Sequence, residues 1–317
     1  MSWPQPTRIF VTGGTGFLGR NLLPGLMALL QGPTEWTVLT RRPPPGAPSG
    51  VRYVSGDLAQ PQTWLDELRR HDLVIWLGAD RDHRQSLSRL MAVNVDAVAA
   101  AIKASQASCI RHFIYVSSVS AVDQASDPFV PTDELSEPSP HTDYGRSKLL
   151  AERLVLCSGL SATVLRLPFL YGPGFAPTSF LAWCQRAARG RVLRHIHLPG
   201  TLSLLFAPDA ARVIATVFAN RVADTRPEVY CVSDGVIHGM EAIVQAVGAL
   251  HDCPAATRSI QIPSWVRRLL GWTPFDYWQH AALSENFFAV DSQRLQASFP
   301  ELQFTPLHEG LRASFRI

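Results

Sequence analysis

Residues Arg8–Gly19 constrain this chain most. A short apolar run, Ile9–Thr12, leads directly into Gly13, Gly14, Gly16 and Gly19, and an apolar helical pattern follows from Phe17. Gly14, Gly16 and Gly19 fit the spacing G-x-G-x-x-G, and Gly13, Gly16 and Gly19 fit a looser G-x-x-G-x-x-G. A strand that turns tightly into a helix needs glycine at the turn, where a pyrophosphate meets the backbone, and where helix and strand pack closely. The N–H groups at the helix start then face the phosphates, with the helix dipole favouring negative charge. Gly13, Gly14, Thr15, Gly16, Phe17, Leu18 and Gly19 are therefore candidate dinucleotide-binding residues.

The chain beyond this turn keeps alternating. Strand-like runs fall at Ile9–Thr12, Thr37–Thr40, Val51–Val54, Leu73–Leu77, Phe113–Ser117 and Ala162–Leu167, with helical patterns at Phe17–Leu30, Leu87–Ala107 and Tyr144–Cys157. Such alternation predicts βαβ units and an α/β fold: a Rossmann-type, doubly wound parallel sheet with helices on both faces. The near-continuous apolar strands suit a sheet covered on both sides. After Arg166 the pattern loosens. Residues 1–170 are expected to form the dinucleotide-binding domain, with 207–234 returning to it through a helix at Pro208–Asn220 and a strand at Glu228–Val232. Residues 171–206 and 235–317 are expected to form a smaller substrate lobe.

Composition narrows the function. Hydrophobic residues make up 46% of 317 residues, ample for a buried core. The net charge of +3, with no basic run, gives no basis for nucleic-acid binding. The N-terminal residues lack a signal-peptide pattern, and no apolar stretch is long enough to span a membrane, so a cytoplasmic location is expected. Five scattered cysteines without paired spacing read as reduced thiols rather than metal ligands.

Chemistry concentrates in two places. Tyr144 and Lys148 form Y-x-x-x-K at a helix start, and residues four apart share a helix face. A cation beside a phenol favours phenolate and moves its titration toward a useful range. Ser117 and Ser118 end the run His112–Val116, at the carboxyl end of a predicted parallel strand, where ligands of open α/β sheets bind.

With these pieces in place, the chain resembles the extended short-chain dehydrogenase/reductases, the group that includes NAD-dependent epimerases and dehydratases. The matching motifs are Thr12–Gly19, Gly56–Leu58, Tyr115–Ser118, Tyr144–Lys148 and Arg166–Gly174, with Phe299–Leu311 resembling the closing helix region. The resemblance implies that Tyr144 is the catalytic acid/base, that Lys148 binds the nicotinamide ribose and lowers the tyrosine pKa, and that Ser118 hydrogen-bonds the substrate oxygen. It implies further cofactor contacts from Asp57, Leu58, Gly78, Ala79 and Pro168. The cofactor carries the hydride, and the protein supplies orientation and proton transfer.

Departures from the family pattern shape the expected activity. Val119–Ala121 stands where the family's dehydratases carry an Asp-Glu pair, which disfavours lyase chemistry. Thr201–Leu205 lacks the arginine with which many nucleotide-sugar enzymes clamp a phosphate, a place that Arg186, Arg189, Arg191 or Arg194 could take instead. The leading expectation is an NAD(P)-dependent oxidoreductase interconverting a ketone and a secondary alcohol. The alternatives are a nucleotide-sugar epimerase and a non-catalytic dinucleotide sensor. Arg41 and Arg42 end the second strand where NAD-preferring members place an acidic residue, so NADP is the expected cofactor, with NAD as the alternative.

The substrate is expected to be a small molecule, largely apolar near the reacting carbon. Leu202, Leu204 and Leu205 stand where the clamp arginine is absent, and Trp265, Trp272, Phe275, Tyr277, Trp278, Phe287 and Phe288 offer aromatic surface either for a pocket wall or for the lobe's own core. The helix Leu90–Ala107 carries only Asp96 and Lys103 as charges, which suggests burial on most sides and a homodimer in which it pairs with Tyr144–Cys157.

Overall fold

The computed structural model describes residues 7–30, 32–44, 50–81, 86–122, 130–177, 179–190, 193–221, 226–253, 260–263, 265–266, 282–283 and 287–317. Seven strands form one wholly parallel sheet: β1 (Thr7–Thr12), β2 (Thr34–Thr40), β3 (Val51–Ser55), β4 (Leu73–Trp76), β5 (His112–Ser118), β6 (Ala162–Leu167) and β9 (Glu228–Cys231). Their spatial order is β3-β2-β1-β4-β5-β6-β9. The chain starts in the middle, runs outward to β3, then crosses back to β4. The reversal between β1 and β4 opens a crevice at the carboxyl ends of the strands.

Helices cover both faces. On one lie α1 (Phe17–Leu29) and α7 (Asp209–Arg221), where Leu22, Leu26, Ile214 and Phe218 bury against Ile9, Val11 and Ile114. On the other lie α2 (Leu65–Leu68), α3 (Leu87–Met91), α4 (Ala97–Gln106) and α5 (Asp143–Leu156), where Val98, Ala101 and Val155 pack on Phe10, Trp76 and Phe113. The predicted helix Leu87–Ala107 is continuous, but Ala92–Asp96 widens into a π-helical turn between α3 and α4.

A second sheet was not foreseen. β8 (Thr201–Phe206) lies parallel to β7 (Phe169–Tyr171) and β11 (Phe287–Phe288) and antiparallel to β10 (Ile237–Gly239). It joins α6 (Phe180–Arg189) and α8 (Met240–Ala249) in a separate apolar cluster around Trp183, Leu204 and Ile243. The carboxyl-terminal helices α9 (Gln293–Ser298) and α10 (Leu307–Phe315) complete the described chain. No helix among the described residues is long and apolar enough to cross a membrane.

Candidate active site

The strand ends place most of the expected site residues along one edge. The turn after β1 holds Gly13–Gly16. Arg41 and Arg42 follow β2, Asp57 and Leu58 follow β3, Gly78 and Ala79 follow β4, Ser118 ends β5, and Pro168 follows β6. Gly13 has φ +70°, and a Cβ there would lie 2.7 Å from the Gly78 backbone nitrogen, so only glycine fits. A Cβ on Gly19 would collide with the Gly14 backbone, which lets α1 sit close to the turn. Gly16 differs: a Cβ there would meet only the Gly13 carbonyl oxygen, 3.2 Å away. It caps α1 with no side-chain cap and no acidic residue in the first turn. This cradle, open at Gly16 with uncapped N–H groups behind it, fits a dinucleotide pyrophosphate.

The neighbouring strand ends are tied together by side chains. Thr12 Oγ1 accepts from Gly78 N at 3.0 Å, and Thr15 Oγ1 lies 3.4 Å from Thr40 Oγ1. Leu58 packs on Gly78, where an added Cβ would be 2.6 Å from its Cδ1. Burial pushes the Asp57 carboxyl up, but the Ala59 N–H and the charges of Arg89 and Arg41 outweigh it and hold its pKa below the ordinary value. Arg89 donates to both Asp57 oxygens at 3.3 and 3.2 Å. Arg41 and Arg42 are exposed, and Pro168 is buried.

Helix α5 brings the reactive groups to this edge. Thr142 Oγ1 caps it by accepting from Gly145 N at 3.0 Å. A Cβ on Gly145 would collide with the Ser120 carbonyl, so this glycine seats the helix against the turn after β5. Ser118 Oγ donates to Ser120 Oγ at 3.2 Å, and Ser118 lies close enough to the Tyr144 phenol to oppose the upward shift of its pKa. Ser117, by contrast, is buried with no hydrogen-bond partner for its hydroxyl among the described residues.

Lys148 is buried. Its Nζ donates to the Val116 carbonyl at 2.7 Å and lies 4.2 Å from the centroid of the Tyr115 ring. Burial pulls its pKa from 10.5 to about 7, against the opposing pull of Glu152. Burial raises the Tyr144 pKa, opposed by Arg81 and by Ser118. The Lys148 ammonium is engaged by the Val116 carbonyl and the Tyr115 ring. A protonated phenol near neutral pH is suited to act as an acid.

Asn94 is a positioning residue to which its sequence context assigned no role. It sits in the π-helical turn, where the widened turn directs it inward. Its Nδ2 donates to Asp80 O and Ser147 Oγ, each at 2.9 Å, and its Oδ1 accepts from Asp80 N at 2.7 Å. The loop after β4 is thereby locked to the helix that carries Tyr144 and Lys148.

Leu202 and Leu204 are buried in the second core and Leu205 in the first. Phe288 packs edge-on against Phe169 at 5.5 Å, and Trp265 is exposed. Trp272, Phe275, Tyr277, Trp278 and the Phe287 side chain lie outside the described residues.

Comparison with known proteins accords with this geometry. The chain is 34% identical over 206 residues to a ceramide reductase of Caulobacter vibrioides, a match covering 64% of this chain and 58% of that protein. It is 24% identical over 283 residues to a UDP-glucose 4-epimerase of Vibrio cholerae, covering 84% and 82%. A UDP-glucuronic acid 4-epimerase of Bacillus cereus, solved with NAD, superposes with a TM-score of 0.75 at 16% identity, covering 98% of each chain, which shows a shared fold. Residues 9–233 match the family model for NAD dependent epimerases and dehydratases, and the chain belongs to that family.

Proposed function

We propose that this chain is an NADP-dependent reductase that converts an alkyl-bearing ketone to a secondary alcohol. The observation that carries this reading is the grouping of Ser118, Tyr144 and buried Lys148 at the sheet edge beside the glycine turn. Bound there, the nicotinamide would supply the hydride. Ser118 would hold the carbonyl oxygen by a hydrogen bond, and Tyr144 would deliver its phenolic proton to that oxygen as the alcohol forms. Lys148 would hold the ribose, and Asp57 and Leu58 the adenine. In this reading residues 1–170 and 207–234 bind the cofactor, and 171–206 and 235–317 form the substrate lobe.

Two observations favour reduction over the epimerase reading. β8 contributes no cation between Thr201 and Phe206, and a diphosphate is costly to desolvate without one. The chain is also similar to proteins named as reductases, the ceramide reductase and a 2-alkyl-3-oxoalkanoate reductase at 31% identity over 173 residues. The epimerase reading draws on the similarity to UDP-sugar enzymes. Calorimetry with UDP in the presence of cofactor tests it: no binding is expected, and micromolar affinity would overturn the reductase reading.

The cofactor preference rests on Arg41 and Arg42, exposed at the end of β2, where guanidinium forks suit a 2′-phosphate. NADPH is expected to bind about tenfold or more tightly than NADH, with Arg41→Ala removing most of the difference. Fluorescence titration with both cofactors checks this, and tighter NADH binding would contradict it.

A homodimer is part of the same reading. Leu150 and Leu154 are exposed on α5 and, with Val95, Arg153 and Cys157, line a shallow cavity of about 410 Å³ between the two expected interface helices. Light scattering at micromolar concentration is expected to give twice the chain mass, and Leu150→Glu combined with Leu154→Glu to give a monomer. A monomeric wild-type mass would contradict it.

A further inference from the structure

Beneath Lys148 lies a buried ion pair that the proposed chemistry leaves unused. Tyr144, Lys148 and Glu152 recur every four residues along one side of α5, and Glu152 is almost fully buried. Arg166 reaches it from β6. Its Nε donates to Oε1 and Oε2 at 3.3 and 3.2 Å, and its Nη2 donates to Oε2 at 2.9 Å. Both side chains are more than nine-tenths buried. A buried pair of this kind seldom adds stability over an apolar pair of the same shape, so its presence invites another role.

We propose that Glu152, gripped by Arg166, is a positioning residue for Lys148, supplying the counter-charge one helical turn beneath the buried ammonium. The inference rests on the reading of Lys148 as the cofactor-binding cation. Among the described residues, the ammonium sealed between α5 and β5 has the Val116 carbonyl and the Tyr115 ring as its close partners. Neither carries a negative charge. Among the groups facing it from neighbouring elements, Arg81 repels it, Tyr144 and Tyr115 are protonated phenols, and Glu152 is the carboxylate that acts on it. Arg166 anchors that carboxylate and also contacts the Cys231 thiol. Glu134 lies beyond it and accepts from Cys231 N at 2.6 Å. The bidentate grip of Arg166 holds the Glu152 carboxylate in place one helical turn from Lys148.

The sequence provides an unusually clean test. Lys103 and Lys148 are the only lysines in the chain, and Lys103 is exposed. Protein carrying carbon-13 at the lysine ε position therefore gives two signals, with that of exposed Lys103 as an internal reference. Lys148 should titrate near neutrality. Replacing the pair together, Glu152→Gln with Arg166→Met, removes both buried charges and keeps the volume. The Lys148 midpoint is expected to fall by about 1 pH unit or more. Arg166→Met alone should move it the opposite way, because Glu152 is then uncompensated. Circular dichroism establishes that each variant is folded. An unchanged Lys148 midpoint in the folded double variant would overturn the proposal. Should that variant not fold, an unchanged midpoint in Arg166→Met would do so. NADPH binding by the wild type is measured separately: its absence would overturn the cofactor reading and leave the Lys148 titration to decide this one.

Discussion

Tyr144→Phe is expected to lower the rate of ketone reduction about 10²- to 10⁴-fold, the usual contribution of a positioned acid. NADPH affinity should change little, because the phenol lies beside Ser118, the residue proposed to hold the substrate oxygen. The substitution removes one oxygen from a half-buried site and leaves the ring and the α5 cap in place. Stability should therefore stay close to wild type. Steady-state kinetics with saturating cofactor separates the two effects. Near-normal turnover in the variant would mean that the proton comes from elsewhere.

Lys148→Met is expected to stabilise the protein while damaging its function. Burial lowers the Lys148 pKa from 10.5 to about 7. Between these values the unfolded chain holds a proton that the folded chain has shed, so stability rises with pH across that window. Below about pH 7 both states are protonated and the cost of the buried charge is fully present. Methionine removes that cost but also the hydrogen bond to Val116. The net gain at neutral pH should be on the order of 1–3 kcal/mol. NADPH affinity should fall by about tenfold or more, as one charge-assisted hydrogen bond is lost. Denaturant unfolding at several pH values checks the sign: the wild type should gain stability from pH 7 toward 10, and the variant should lack that gain. A variant less stable than wild type at pH 7 would show that the ammonium is favourably held, contrary to this account.

The parts of the structure legible in the sequence are those set by local pattern. The turn at Gly13, the six strand runs through Leu167 and the helix expected from Tyr144, which begins at Asp143, each carry their own signal in adjacent residues. The return of Glu228–Cys231 to the main sheet was also readable, because a helix and an apolar strand precede it in the usual order.

What escaped the sequence depends on distant partners. β7 is three residues between Pro168 and Gly172 and reads as loop. It is a strand because β8 pairs with it, and β8 in turn pairs with Ile237–Gly239 and Phe287–Phe288. The π-helical turn at Ala92–Asp96 has no compositional mark, yet it directs Asn94 to Asp80 and Ser147. Tyr144 and Lys148 share a helix face as their spacing predicts, but where the ammonium points is decided by the Val116 carbonyl of another element. The leucines of β8 carry no mark of which core they join, and the arrangement of the second sheet sends Leu202 and Leu204 to one and Leu205 to the other.

The central claim is that Tyr144 and its neighbours reduce a ketone with hydride from NADPH. The most direct measurement follows nicotinamide absorbance while wild-type protein and Tyr144→Phe are each mixed with NADPH and a panel of alkyl ketones. The account predicts steady loss of NADPH with the wild type on at least one long-chain ketone, the matching secondary alcohol as product, and a rate about 10²-fold or more lower in the variant. Unchanged NADPH across the panel, together with interconversion of UDP-glucose and its 4-epimer by the same protein sample, would contradict it.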